Sequence, residues 1–115
     1  MNFKKSIDFQ IGFSDSQIVS FESKNDDVLV FLKAWNEKIL KLEFFDSICF
    51  FIINSWNISD ICQVDNTPSL EKVVKMVYEK VPLNHPYKVF QFIDNDDNII
   101  AEVCCKKLSI SIESK

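Results

Sequence analysis

The chain holds one glycine (Gly12), one histidine (His85), three prolines and no arginine. Each scarcity removes a class of function. Glycine-rich phosphate loops need several residues free to take positive φ or to let the backbone close on a phosphate, and one glycine cannot supply them. No G-x-S-x-G nucleophile elbow is present either. Without arginine there is no planar guanidinium fork for carboxylate, phosphate or guanine edges. The charge balance points the same way, with 13 lysines against 17 acids and a net charge of −4. Nucleic-acid affinity rests on neutralising phosphates, so no nucleic-acid partner is expected.

With a single histidine, a zinc site would depend on cysteines. Cys49 and Cys62 have 12 residues between them, and Cys104 and Cys105 are adjacent. None of these is a C-x-x-C spacing. Neighbours on a strand point to opposite faces, so Cys104 and Cys105 cannot serve one site. The four cysteines read as buried free thiols. No metal and no cofactor is expected.

Long hydrophobic runs are lacking as well. The longest, over residues 44–53, is broken by Asp46. It falls far short of the roughly 20 residues that span a bilayer. Lys4 and Lys5 are not followed by the apolar stretch of about 7–15 residues that a signal peptide needs. The expectation is a cytoplasmic protein with no membrane partner.

What is present is material for a core. Apolar residues make up 47% of the chain, and 11 of its 115 residues are phenylalanine. Each buried aromatic removes roughly 150–250 Å² from water. That favours one folded domain over 1–115 and disfavours disorder. The densest stretch, 28–53, is cut at Asn36-Glu37 and Asp46-Ser47 into three pieces of strand length.

Period-2 alternation predicts strands over 6–13, with Ile7, Phe9, Ile11 and Phe13 inward, and over 17–23, with Val19 and Phe21 inward. These two read as an N-terminal hairpin. Further strands are predicted over 28–34, 38–45 (Leu40, Leu42 and Phe44 inward), 48–53 and 58–64. Three more, over 87–94, 99–105 and 108–113, read as a C-terminal meander. Thr67 and Pro68 are an N-cap and a first helical residue. The spacing predicts a helix over 68–81, with Leu70, Val73, Val74, Val77 and Val81 on one stripe. Almost every connection between strands is too short for a parallel crossover, so the sheet is expected to be antiparallel. The fold class is therefore α+β, mainly β. The reading is an antiparallel, strongly curled or barrel-like sheet of about eight or nine short strands with the helix packed on it.

No residue qualifies as catalytic. His85 lies in a proline-bounded turn, and no motif brings it a nucleophile or carboxylate. Asp94, Asp96 and Asn98 match the opening of a calcium loop. Its sixth position is Ile99 rather than Gly, and its twelfth is Cys105 rather than Glu. A hairpin turn accounts for the three residues.

Trp35, Trp56, Tyr78 and Tyr87 are the aromatics with a polar tip, a type favoured in interaction hot spots. Core packing is the simpler account of each. Trp56, in a polar loop, is the tentative protein-binding residue. The acidic turns at 26–27, 60–65 and 94–97, if gathered at one end, would suit a basic protein partner. They would suit plain solubility equally well. Three readings follow: a small non-enzymatic protein-binding domain, an immunity-type protein that neutralises a toxin, and a carrier of a small apolar ligand. An enzyme would require the fold to bring His85 to a carboxylate or a cysteine.

Overall fold

The computed structural model describes residues 4–52 and 57–113. The first half of the chain forms β1 (Lys4–Ser6), β2 (Ser16–Lys24), β3 (Asp27–Lys33), β4 (Ile39–Phe45), β5 (Cys49–Ile52) and β6 (Asn57–Ile58). The second half forms β7 (Asp60–Val64), α1 (Pro68–Val77), β8 (Lys88–Ile93), β9 (Ile99–Cys105) and β10 (Lys107–Ile112). The mainly antiparallel β class with a single helix stands as read from the sequence. The strands number ten among the described residues and divide into two sheets, ordered β1-β7-β8-β9-β5 and β10-β4-β3-β2-β6.

Alternation explains how the sheets face each other. Val28, Val30 and Leu32 on β3 stand opposite Phe44, Leu42 and Leu40 on β4. All six are buried. They meet Ile61, Phe90, Phe92 and Val103 of the other sheet in one core. The Phe44 ring lies 5.8 Å from Phe90 and 6.0 Å from Phe92, tilted to both. Burying an aliphatic or aromatic side chain of this size contributes about 1.5–3 kcal/mol.

β8 and β9 are buried on both faces because the helix covers the second one. Leu70 and Val74 of α1 pack with Val64, Val89 and Cys104. Cys105 belongs to the other core, so the two adjacent cysteines do face opposite sides. The order of layers is helix, sheet, sheet.

Thr67 caps the helix as expected, with extended backbone and its hydroxyl accepting from the Leu70 N–H, and Pro68 opens it. The helix stops at Val77, not at Val81. Tyr78 takes extended φ and ψ, and its ring packs edge-on against Tyr87 at 6.3 Å. Valines are weak helix formers and cannot hold the last turn against that contact. Val77 and Val81 are left exposed.

Four other expectations are corrected. Residues 6–13 do not form a strand beyond Ser6, and no N-terminal hairpin exists. β1 pairs with β7, while β2 pairs with β3 and β6. The alternation of 6–13 reported burial rather than a continued ladder: the Ile7 N–H still donates to the Ile61 carbonyl at 2.9 Å, the chain then bends at Gln10 and Ile11, and Ile7, Phe9, Ile11 and Phe13 pack into the core between the sheets. Val19 lies at a register break between Ile18 and Ser20 and is exposed, and Ile18 takes the inward position. The 58–64 strand is broken at Ser59 into β6 and β7, which lie in different sheets. The C-terminal meander also fails. β8 and β9 are a hairpin, but β10 crosses to the other sheet and pairs with β4.

That crossing is made at Lys106. Its N–H donates to the Phe45 carbonyl at 2.9 Å, and its ammonium lies 3.9 Å from Asp46. Asp46 marks the other place where the chain changes sheets, between β4 and β5. Both corners therefore meet at one end of the molecule. The β2–β3 turn lies there too, with Asp27 Oδ1 accepting from the Asp46 N–H at 3.1 Å. The opposite end carries the β3–β4 and β8–β9 hairpin loops.

Candidate functional site

The β3–β4 hairpin loop consists of Trp35, Asn36 and Glu37. The Ala34 N–H donates to the Lys38 carbonyl at 2.8 Å, and the Glu37 N–H to the Ala34 carbonyl at 2.9 Å. Asn36 Oδ1 accepts from the Lys38 N–H. This is the three-residue hairpin loop whose last position is left-handed and favours glycine. Here that position is Glu37, at φ 68°. The geometry sets Trp35 at the tip of the loop with its side chain 63% exposed.

Trp35 lines a cleft of about 490 Å³ with Asp15, Gln17, Lys33, Glu37, Asn57 and Asn95. These residues come from four separate segments. Asp15 is in the turn before β2, where the Ser16 N–H donates to the Phe13 carbonyl, and it too is left-handed, at φ 60°. Asn95 comes from the β8–β9 loop, which repeats the geometry of the β3–β4 loop. There the Asp94 N–H donates to the Asn98 carbonyl at 3.0 Å, the Asp97 N–H donates to the Asp94 carbonyl at 3.2 Å, and Asp97 has φ 61°. Gln17 Nε2 donates to Asn57 Oδ1 at 3.1 Å, joining two more of the cleft's side chains.

On its other side Glu37 lines a second cleft of about 630 Å³, with Phe31, Asn36, Lys38, Ile39, Ile112 and Glu113. The hairpin therefore stands between two concave surfaces. Glu37 has an ion pair with Lys33 at 3.6 Å, with side chains 80% and 46% exposed. An ion pair this open is weak, and an incoming cation can replace it.

The acidic turns divide. The 94–98 loop joins Asp15 and Glu37 at the Trp35 end. Asp60 lies beside it, sharing a polar depression with Ser6, Ser59 and Asp97. Ser59 Oγ donates to the Asp94 carbonyl at 3.0 Å, which ties the loop to the β6–β7 break. Asp26 and Asp27 lie at the far end with Asp46.

Asp94 explains the apparent calcium pattern. Its Oδ1 accepts from the N–H groups of Asp96 (2.9 Å) and Asn98 (2.8 Å), and its Oδ2 accepts from Asn98 Nδ2 (3.3 Å). The Asn98 amide, seconded by that of Asp96, holds the Asp94 carboxyl below its ordinary value. Its oxygens serve the turn. Among the described residues, no group of three or more His, Cys, Asp or Glu side chains is placed to hold a metal ion.

The other expected positions fall as follows. Trp56 lies outside the described residues. Tyr78 and Tyr87 are half-buried against each other, and Lys106 stands 5.5 Å over the Tyr87 ring. His85 is half-buried, and its Nδ1 accepts from the Tyr87 N–H at 3.3 Å. The centre of the space between the sheets is filled, with Leu32, Leu40, Leu42, Phe44, Ile61, Phe92 and Val103 fully buried, and a cleft of about 370 Å³ opens at its margin beside Ile7, Phe9, Phe90, Leu108 and Ile110. Among the described residues, no helix is long and apolar enough to cross a membrane.

Two features had no place in the sequence reading. Glu102, in the middle of β9, is 3% exposed. Its Oε1 accepts from Gln91 Nε2 at 2.9 Å, and its Oε2 accepts from Thr67 Oγ1 at 3.3 Å. A buried carboxylate needs such donors. Here they fasten the first turn of α1 to the sheet, so the group is structural. The second feature is a run of exposed apolar side chains past the middle of α1: Met76, Val77, Val81 and Leu83. Lys72, Lys75 and Lys80 accompany them in the chain, with Glu71 and Glu79 among them, so the stretch is close to neutral where the Trp35 end is acidic.

Compared with models of known protein families, with curated proteins and with solved structures, the chain matches none.

Proposed function

We propose that this is a protein-binding domain that engages a basic protein surface through its Trp35 end. One observation carries the reading: a largely exposed tryptophan shares a cleft with two carboxylates, Asp15 and Glu37. Tryptophan is the side chain most enriched at binding hot spots, because it removes a large area from water at little entropic cost. Acids flanking it favour a cationic partner, and the net charge of −4 steers such a partner during encounter.

Left-handed backbone does not by itself mark this end. Asp15, Glu37 and Asp97 take positive φ here, and Asn25 and Asp46 do so in the turns at the other end. Asn and Asp adopt that conformation readily in turns, whereas a glutamate there is less common. Glu37 is therefore the one of the five whose conformation is not accounted for by its residue type.

The immunity-type reading is the special case in which the basic partner is a toxin, and the same charge argument supports it. The carrier reading has less in its favour, since the centre of the inter-sheet space is filled by the core and the cleft of about 370 Å³ at its margin is open and partly polar, with Asp8, Gln63, Lys88 and Lys107 in its lining. The enzyme reading has less still, since the Nδ1 of His85 is engaged by its own turn.

The test is a binding titration with the partner recovered by affinity capture from native extract. Trp35→Ala should weaken binding by at least about 30-fold, the size of a hot-spot loss near 2 kcal/mol. The Asp15→Asn/Glu37→Gln pair should weaken it further as salt is lowered. Unchanged affinity for Trp35→Ala would refute the placement.

A further inference from the structure

We propose that Cys49 and Cys104 are a cross-strand dithiol that closes to a disulfide and staples the edge strand β5 to β9. The two residues are direct partners in the antiparallel register of β5 and β9. Directly opposed residues in such a pair have Cα atoms about 4.5 or 5.5 Å apart, inside the span of about 4.4–6.8 Å that a disulfide bridges. The two thiols are close enough to shift each other's ionisation. Both side chains leave the sheet on its helix face, where Cys104 packs beneath Leu70 and Val74, and Cys49 lies against the same cluster.

The other cysteines are placed out of reach. Cys105 points into the opposite core. Cys62 on β7 stands opposite Gln91 of β8, and the row continues to Glu102 rather than Cys104. The register alone therefore selects one pair of the four.

Access is from one side. Cys104 is fully buried, whereas Cys49 is half-buried on the end strand of its sheet. A small oxidant such as hydrogen peroxide meets Cys49 first. The Cys49 thiolate attacks one peroxide oxygen, the O–O bond breaks, and water leaves after protonation. The resulting sulfenic acid is attacked by the Cys104 sulfur. The S–S bond forms, the S–O bond breaks, and the hydroxyl leaves as a second water. Two thiols lose two electrons in total, and one peroxide gains them.

Burial raises both thiols above their ordinary value, Cys104 far more than Cys49. Thiolate is scarce at neutral pH, so closure is slow there. It accelerates as pH rises, by up to about tenfold per unit while the thiol form dominates. Once formed, the bond closes a long loop across the chain and restrains the unfolded state. It also prevents β5 from peeling away from the sheet.

The experiment treats the folded full-length chain with hydrogen peroxide at pH 7 and pH 9, quenches with catalase, alkylates free thiols and digests without reductant. The expected result is a mass loss of about 2 Da for the lost hydrogens, a Cys49–Cys104 linked peptide, and faster closure at pH 9. The oxidised chain should have a higher urea midpoint, reversed by dithiothreitol. Cys62→Ser and Cys105→Ala should still close, and Cys49→Ser should not. Cys49 is at the sheet edge, so Cys49→Ser is the variant expected to keep the wild-type circular dichroism spectrum. A linked peptide joining any other cysteines, closure only in urea, or oxidation beyond sulfenic acid with no linkage would each overturn the proposal.

Discussion

Thr67 and Glu102 join the helix to the sheet through one hydroxyl. Thr67 Oγ1 accepts from the Leu70 N–H at 3.1 Å and donates to Glu102 Oε2 at 3.3 Å. The same atom thus caps the helix and satisfies a carboxylate that has almost no contact with water. Thr67→Ala removes the cap and leaves one oxygen of Glu102 without its donor. The expected loss is about 1–3 kcal/mol, read as a lower urea midpoint with an unchanged slope. A double-mutant cycle on Thr67 and Glu102 should give a coupling of at least about 0.5 kcal/mol, since the two share one hydrogen bond.

The core prediction concerns Phe44. Phe44 is fully buried, and its ring packs against those of both Phe90 and Phe92. Phe44→Ala opens a cavity where the two sheets meet and should cost about 3–5 kcal/mol. Phe44→Leu keeps most of the volume and should cost less. Chemical denaturation of both variants checks the ratio.

Glu37 allows the proposed binding role to be tested apart from stability. Its left-handed backbone is paid for by the rest of the hairpin, and its ion pair with Lys33 is too exposed to return much. Glu37→Gly should leave the fold as stable or raise it by up to about 1 kcal/mol. The same variant should weaken binding to a basic partner. A gain in stability with a loss of affinity is the pattern expected of a residue kept for function.

The β8–β9 loop carries the pH dependence. Hydrogen bonds from Asn98 and then Asp96 lower the Asp94 carboxyl below its ordinary value of 3.8. A lowered carboxyl stabilises the fold fully above its unfolded value, and that contribution is lost as pH falls through the folded value. The loop should therefore loosen only below about pH 4. Amide shifts of Asp96 and Asn98 in an acid titration should move together there, and Asp94→Ala should abolish the step.

Much of the scaffold was legible because burial imposes a period. Leu40, Leu42 and Phe44 alternate with Ile39, Lys41 and Glu43, and only a strand with one inward face satisfies that pattern. Thr67-Pro68 was equally plain, since a cap and a first-turn proline act within a few residues. Sheet membership was not legible. Whether β10 stays beside β9 or crosses to β4 turns on one residue, Lys106, and on its contact with Phe45 far away in the chain. The alternation of Ile7, Phe9, Ile11 and Phe13 was real, but inward-facing residues need no ladder partner.

The site was legible only in its kind. An exposed aromatic beside acidic turns was the expected form, and the sequence placed it at Trp56, which lies outside the described residues. Trp35 read as the end of a strand. Its exposure follows from a three-residue loop with Glu37 in a left-handed position, and glutamate gives no signal of that conformation. Glu102 was hidden for a related reason. An acid in a strand reads as solvent-facing until the helix above it and Gln91 beside it are known.

The most direct test of the binding end is a side-by-side affinity capture from native extract with quantitative mass spectrometry. The baits are the wild-type chain, Trp35→Ala, Asp15→Asn/Glu37→Gln, and Leu83→Ser from the near-neutral apolar run. The expected result is a basic partner whose recovery falls at least about tenfold with Trp35→Ala and with the charge-removing pair, and stays level with Leu83→Ser. Recovery that survives Trp35→Ala but is lost with Leu83→Ser would contradict it.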